Sequence, residues 1–195
     1  MKGILFKEKM FKAVIEGRKT QTRRTVKGLA LDWLDNAGFS PEFVSDPDNR
    51  MARYNTGEVV YLKEPYCDDS FLGSTMYKYL WHDNTISVVP EPKWKNKLFM
   101  PEKFARYFIK IIRVRCERLV DISADDVLSE GVDYLGKLPV MLTGKPSREQ
   151  LHELATMIAR GEYQTLWESI NGKGSWELNP WVWVYEFRLI EEVNQ

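Results

Sequence analysis

Cysteine and histidine are scarce in this chain, two of each in 195 residues. Cys67 and Cys116 are too few for a disulfide framework and too far apart for a metal-ligand pair. His82 and His152 have no carboxylate at a ligand spacing, and no serine sits in a nucleophile elbow. No metal and no cofactor is expected, and His152 reads as a surface residue. Long apolar runs are lacking too: the longest, Trp181 to Tyr185, has five residues against the roughly 20 that span a bilayer. Lys7, Glu8 and Lys9 follow Ile4-Leu5-Phe6 at once, which leaves no signal-peptide core there. These absences predict a soluble, cytoplasmic protein with no membrane partner. Gly (12) and Pro (9) are too few for low-complexity disorder, and no repeat of solenoid length is found.

Net charge is absent in sum, with 28 Lys plus Arg against 28 Asp plus Glu, but not in place. Arg18, Lys19, Arg23, Arg24 and Lys27 form a stretch with no acid. Residues 93–115 are basic apart from Glu102, and residues 117–133 are acidic apart from Arg118. Zero net charge argues against a general nucleic-acid coating and leaves room for a local basic cleft holding a few phosphates. Solvated faces are the ordinary alternative.

Helical spacing of Met10, Phe11, Val14 and Ile15, with Gly17 to end the turn, predicts a first helix. The β-branched stretch 20–26 reads as a strand, 29–53 as loops with short helical pieces, and 57–64 as a strand buried on both faces. A hairpin is expected from 77–81 and 86–89. In 107–119 the apolar parity switches at Ile111-Ile112, the mark of a bulge, and bulges bend strands in small barrels. Ser123 and Gly131 bracket a short helix, Ser147 to Gly161 a second, and Tyr163 to Gly172 a third. Residues 181–189 make a terminal strand with one heavily apolar face. Together these predict one α+β domain over 1–195, a small β-barrel with peripheral helices. Gly144-Lys145 fails as a P-loop, and Gly172-Lys173-Gly174-Ser175 reads as a turn.

What remains is Gly17-Arg18-Lys19-Thr20-Gln21-Thr22-Arg23-Arg24 at a helix-to-strand junction. With Ile4-Leu5-Phe6, Thr56-Gly57-Glu58, Tyr61-Leu62-Lys63-Glu64, Trp94, Met100-Pro101, Phe104-Ala105-Arg106, Val114 through Ile122, Glu130-Gly131, Leu166-Trp167 through Asn171 and Trp176 through Phe187, in that order, the chain resembles the ASCH domains. These are relatives of the PUA fold, and the likeness is to phage- and prophage-encoded members. Variable stretches near 28–53, 66–92 and 133–161 interrupt it. The resemblance implies a PUA-like β-barrel with a cleft that binds RNA or a modified nucleoside. Arg18, Arg23, Arg24, Lys63, Glu64 and Arg106 are the implied nucleotide-binding residues. Some small bacterial ASCH proteins are amidohydrolases that deacetylate N4-acetylcytidine. Their catalytic Lys, Thr and Glu fall on Lys19, Thr22 and Glu130. This chain is longer than those hydrolases and has Phe99 where phage relatives often carry His.

Amide hydrolysis needs a nucleophile, a base and an acid for the leaving amine. Lys19 can serve as base for Thr22 if burial or Arg18, Arg23 and Arg24 depress its pKa. Glu130 either protonates the leaving nitrogen or holds Lys19 charged. In a regular strand Lys19 and Thr22 face opposite sides, so a turn or bulge between them is required. The plain alternative is a Lys19–Glu130 ion pair and a Thr22 chosen for β-propensity. Three functions follow: RNA or nucleoside binding with Trp81 or Trp94 stacking on a base, deacylation of an N4-acylcytidine, or a phage accessory role. In the last, Met141, Met157 and Ile158 of segment 133–161 face a host protein or pack in the core.

Overall fold

The computed structural model describes residues 1–69, 74–80, 93–137 and 147–190. Within them a five-stranded mixed sheet has the order β1-β3-β6-β7-β2, formed by β1 (Lys2–Leu5), β2 (Gln21–Thr25), β3 (Val59–Lys63), β6 (Phe108–Arg118) and β7 (Trp181–Ile190). A separate hairpin pairs β4 (Tyr66–Asp69) with β5 (Ser74–Tyr77). The expected hairpin from 77–81 and 86–89 falls largely outside the described residues. Helices α1 (Glu8–Ile15), α2 (Leu29–Asp35), α3 (Pro41–Ser45), α4 (Ala124–Ser129) and α5 (Arg148–Asn171) surround the sheet. No described helix is long and apolar enough to cross a membrane.

The α+β class is as the sequence predicts; the closed barrel is not. β1 pairs in parallel with β3 and β2 antiparallel with β7, but β1 and β2 do not pair with each other. Side chains bridge the seam instead. The Tyr54 hydroxyl donates to the Gly3 carbonyl at 3.1 Å, and Arg24 Nη2 donates to the Leu5 carbonyl at 2.6 Å. The carbonyls of a strand edge must find donors, and here arginine and tyrosine supply what a fifth ladder would.

Both sheet faces are covered. Trp183, Tyr185 and Phe187 of β7 point into one core with Ile4, Phe11, Val14 and Ile111, while Val182 and Val184 point into a second with Val127, Ala159, Tyr163 and Trp167. Val182 and Val184 are therefore buried on the second face as well, where α4 and α5 cover the strand. The bulge lies where the parity switch put it: the β6–β7 register shifts between Ile111 and Arg113. The two helices expected on either side of Gly161 are one continuous helix of 24 residues. A mid-helix glycine costs only about 1 kcal/mol, and the buried stripe Ala159, Tyr163, Trp167 runs through it without a break. Its start is the capping box Ser147–Gln150.

Candidate functional site

α1 ends at Gly17, whose φ of 72° only glycine adopts readily, and the chain doubles back into β2. On the way the Lys19 amide donates to the Ala13 carbonyl at 2.9 Å and the Thr20 amide to the Ser129 carbonyl at 2.8 Å. These bonds pin the junction to α1 and α4 and set Lys19 beside Glu130, the residue that ends α4. Lys19 Nζ donates to Glu130 Oε2 at 2.5 Å and to the Glu130 carbonyl at 2.9 Å. Gly131 follows at φ 81°, and a Cβ there would stand 3.0 Å from Lys19 Cβ and 3.2 Å from Ala13 Cβ. Gly131→Ala is therefore expected to destabilise by about 1–3 kcal/mol, through strain at positive φ and crowding of Lys19. Chemical denaturation of the variant checks this.

Lys19, Thr22 and Glu130 border one cavity of about 420 Å³, a size that suits a small organic ligand. No bulge separates Lys19 from Thr22. Phe187 N donates to Thr20 O and Val26 N to Trp181 O, so residues 20–26 run in unbroken register with β7. The sequence argument required a bulge because it assumed a site on one face of the strand. The cavity instead lies along the unpaired edge of β2, where residues of both faces reach it. That bonding also turns the backbone groups of Gln21, Arg23 and Thr25 away from β7, along the open edge. The opposite wall is α5, through Tyr163, Leu166, Trp167 and Ile170, with Met10 of α1 beside it.

Electrostatics give Arg18, Lys19, Arg23 and Arg24 of the basic stretch four different fates. Arg18 pairs with Glu16 at the surface and does not border the cavity. Burial lowers the Lys19 pKa from its usual range; Glu130 opposes this, and the Arg24 and Arg23 charges reinforce it. Arg23 has no exposed side-chain surface, and its guanidinium donates to Glu117, Asp126, Glu130 and Gln21. Its role as a phosphate contact is thereby corrected: three carboxylates of the acidic run 117–133 consume it. Burial depresses a guanidinium's charge, yet Glu130 and Glu117 prevail and raise the Arg23 pKa. Arg24 makes a single side-chain hydrogen bond among the described residues, to the Leu5 carbonyl, and lies 5.5 Å over the Phe6 ring.

Lys63, Glu64 and Arg106 are not brought to the cavity. Glu64 is fully buried and holds Arg106 through two bonds at 2.7 and 2.8 Å, while Lys63 donates to the Leu98 carbonyl. This pairing is structural, with the Arg106 guanidinium 4.0 Å over the Tyr77 ring. Trp94 does not border the cavity, and Trp81 and Met141 lie outside the described residues. Met157 is exposed on α5, Ile158 packs against the second core, and His152 is exposed. Among the described residues no His, Cys, Asp and Glu cluster is fit to hold a metal.

Tyr163 escaped the sequence reading. It is buried on α5, and burial together with neighbouring Glu130 holds its phenol well above the usual tyrosine pKa, so it stays a neutral donor toward that carboxylate. Its signal was a polar tip on an otherwise apolar helical stripe. Asp126 escaped too: burial would raise its pKa, but the Gln21 hydrogen bond and the charges of Arg23 and Arg115 lower it. Comparison with family models, curated proteins and solved structures finds no match, so function must be argued from the site itself.

Proposed function

We propose that the cavity binds a modified pyrimidine nucleoside and hydrolyses an acyl amide on its exocyclic nitrogen. The observation that carries this is the convergence of a buried amine of lowered pKa, a hydroxyl and a carboxylate on one hollow at a strand edge. The Thr22 hydroxyl makes no side-chain hydrogen bond among the described residues and borders the hollow. Lys19 Nζ takes its proton as Oγ bonds to the acyl carbon. The C–N bond then breaks, and the proton passes by way of Lys19 and Glu130 to the leaving amine. Water hydrolyses the Thr22 ester, releasing the carboxylic acid and restoring the hydroxyl. Tyr163 and Arg23 orient Glu130. The ASCH resemblance points to the same three residues and to an N4-acylcytidine, and a PUA-like ancestry accounts for an almost closed sheet.

The test is direct: incubate the protein with N4-acetylcytidine and follow cytidine and acetate by chromatography. Equimolar release is expected. No release at any pH between 6 and about 10, the range set by ordinary lysine titration, defeats the hydrolytic reading. A second reading, binding without chemistry, is favoured by the 2.5 Å Lys19–Glu130 contact, which engages the base and the acid with each other. Saturable binding of cytidine without turnover supports it.

A further inference from the structure

Arg24 separates two hollows, not one. Beyond it lies a second cavity of about 430 Å³, lined by Gly3, Met51, Arg53, Tyr54, Trp183 and Tyr185 among others. Leu5, Arg24, Thr25 and Lys27 border both. The two hollows therefore run along one seam, the gap left between β1 and β2.

The cations around them are not equivalent. In the first hollow Lys7 is tied to the Ser169 carbonyl at 2.6 Å and Lys97 to the Phe6 carbonyl at 2.5 Å. Lys19 and Arg23 are committed to Glu130. Among the described residues Lys27 and Arg53 have neither a carboxylate at ion-pair distance nor a carbonyl bond, Arg24 keeps all but one of its N–H groups free of the Leu5 carbonyl, and no acid borders the second hollow. Uncommitted positive charge thus collects at the divide and beyond it. A neutral nucleoside confined to the first hollow has no use for that charge. A phosphate at the divide does. Past it, Met51, Tyr54 and Trp183 offer aromatic and apolar surface of the kind that takes a base.

We propose that the two hollows are one channel for a single-stranded nucleic acid: the modified nucleoside in the first, its chain neighbour in the second, and the linking phosphodiester on Arg24 and Lys27. This rests on the first hollow's being a nucleoside site. The backbone groups of Arg23 and Thr25 on the open edge of β2 are available to the edge of a base, and Arg53 reaches the outer nucleotide.

Calorimetric titration with cytidine, cytidine monophosphate and the dinucleotide CpU, in ribo and deoxyribo forms, tests this. The monophosphate is expected to bind tighter than cytidine by a margin that shrinks as salt rises, and CpU about tenfold or more tighter than the monophosphate. Lys27→Ala should remove most of the monophosphate's advantage over cytidine and Arg53→Ala most of CpU's advantage over the monophosphate, while Lys173→Ala on the turn after α5 should leave both intact. Either sugar supports the channel, and the preferred one names the strand. A dinucleotide bound no tighter than the monophosphate overturns the proposal, as does a CpU advantage that survives Arg53→Ala. The two readings fail separately: N4-acetylcytidine turnover without a dinucleotide advantage removes the channel alone. A dinucleotide advantage without turnover removes the hydrolysis and keeps the channel.

Discussion

Arg23→Met is expected to destabilise the protein by about 3–5 kcal/mol, the cost of leaving buried carboxylates without their cation. In urea, with a slope of about 2 kcal/mol per molar, that moves the midpoint down by roughly 1.5–2.5 M. Arg18→Met, at an exposed pair, should leave the midpoint in place. The contrast follows from geometry. Arg23 fastens β2 to Glu117 of β6 and to Asp126 and Glu130 of α4, so its loss unpins three elements. Arg115 also holds Glu117, Asp126 and Glu186, and this keeps the variant from losing every countercharge. Acid should act through the same groups. A carboxyl whose folded pKa is depressed adds stability above its unfolded value, and that stability is lost as pH falls through the folded one. Asp126 is such a group, so its contribution is complete above 3.8, the ordinary aspartate value, and disappears in the window below it. Arg23→Met removes one of the charges that depress it, so the variant should lose less on acidification than the parent does. Equal urea midpoints for the two proteins would mean that Arg23 is not the fastener.

Local signals in the sequence translated well because their physics is local. The Ser123 and Ser147 caps and the parity switch at Ile111-Ile112 each depend on a few neighbouring residues, and each stands where the sequence places it. Gly161 misled because a helix terminator and a tolerated glycine look alike until the buried stripe on both sides is known to be continuous. The barrel was overdrawn because closure depends on whether two distant edges pair, and neither β1 nor β2 carries that information. Strand periodicity placed Lys19 and Thr22 on opposite faces, but it has no term for an open edge that both residues can border. The basic run 18–27 and the acidic run 117–133 were both visible. Their neutralising one another through Arg23 was not, since it requires α4 to pack across β2. Tyr163 was hidden by its own surroundings, one hydroxyl in a row of core residues.

Lys19→Met should lower deacylation of N4-acetylcytidine by about a thousandfold or more, and Thr22→Ala by a similar factor, because each removes one half of a single proton-transfer unit. For the same reason the double variant should be little worse than either alone. Loss of activity by itself would not separate a base from a structural lysine, so the pH profile carries the distinction. If the Lys19 amine is the base, the rate rises with pH as the amine loses its proton. Because burial lowers that pKa, the rising limb should lie below 10.5, the ordinary lysine value. Glu130 acts against burial and raises the Lys19 pKa. Glu130→Gln should therefore reduce the rate and at the same time move the limb toward acid. A lysine that only braces the fold would yield a slower variant with its limb unmoved, and a limb displaced toward alkali would mean that the carboxylate governs some other titration. The amine is kept where that profile needs it by packing: Gly131 and Ala13 close on its stem, and Phe6 lies 5.6 Å beneath the ammonium. The same enclosure that weakens the cation holds it beside Glu130 and on the hollow that Thr22 shares.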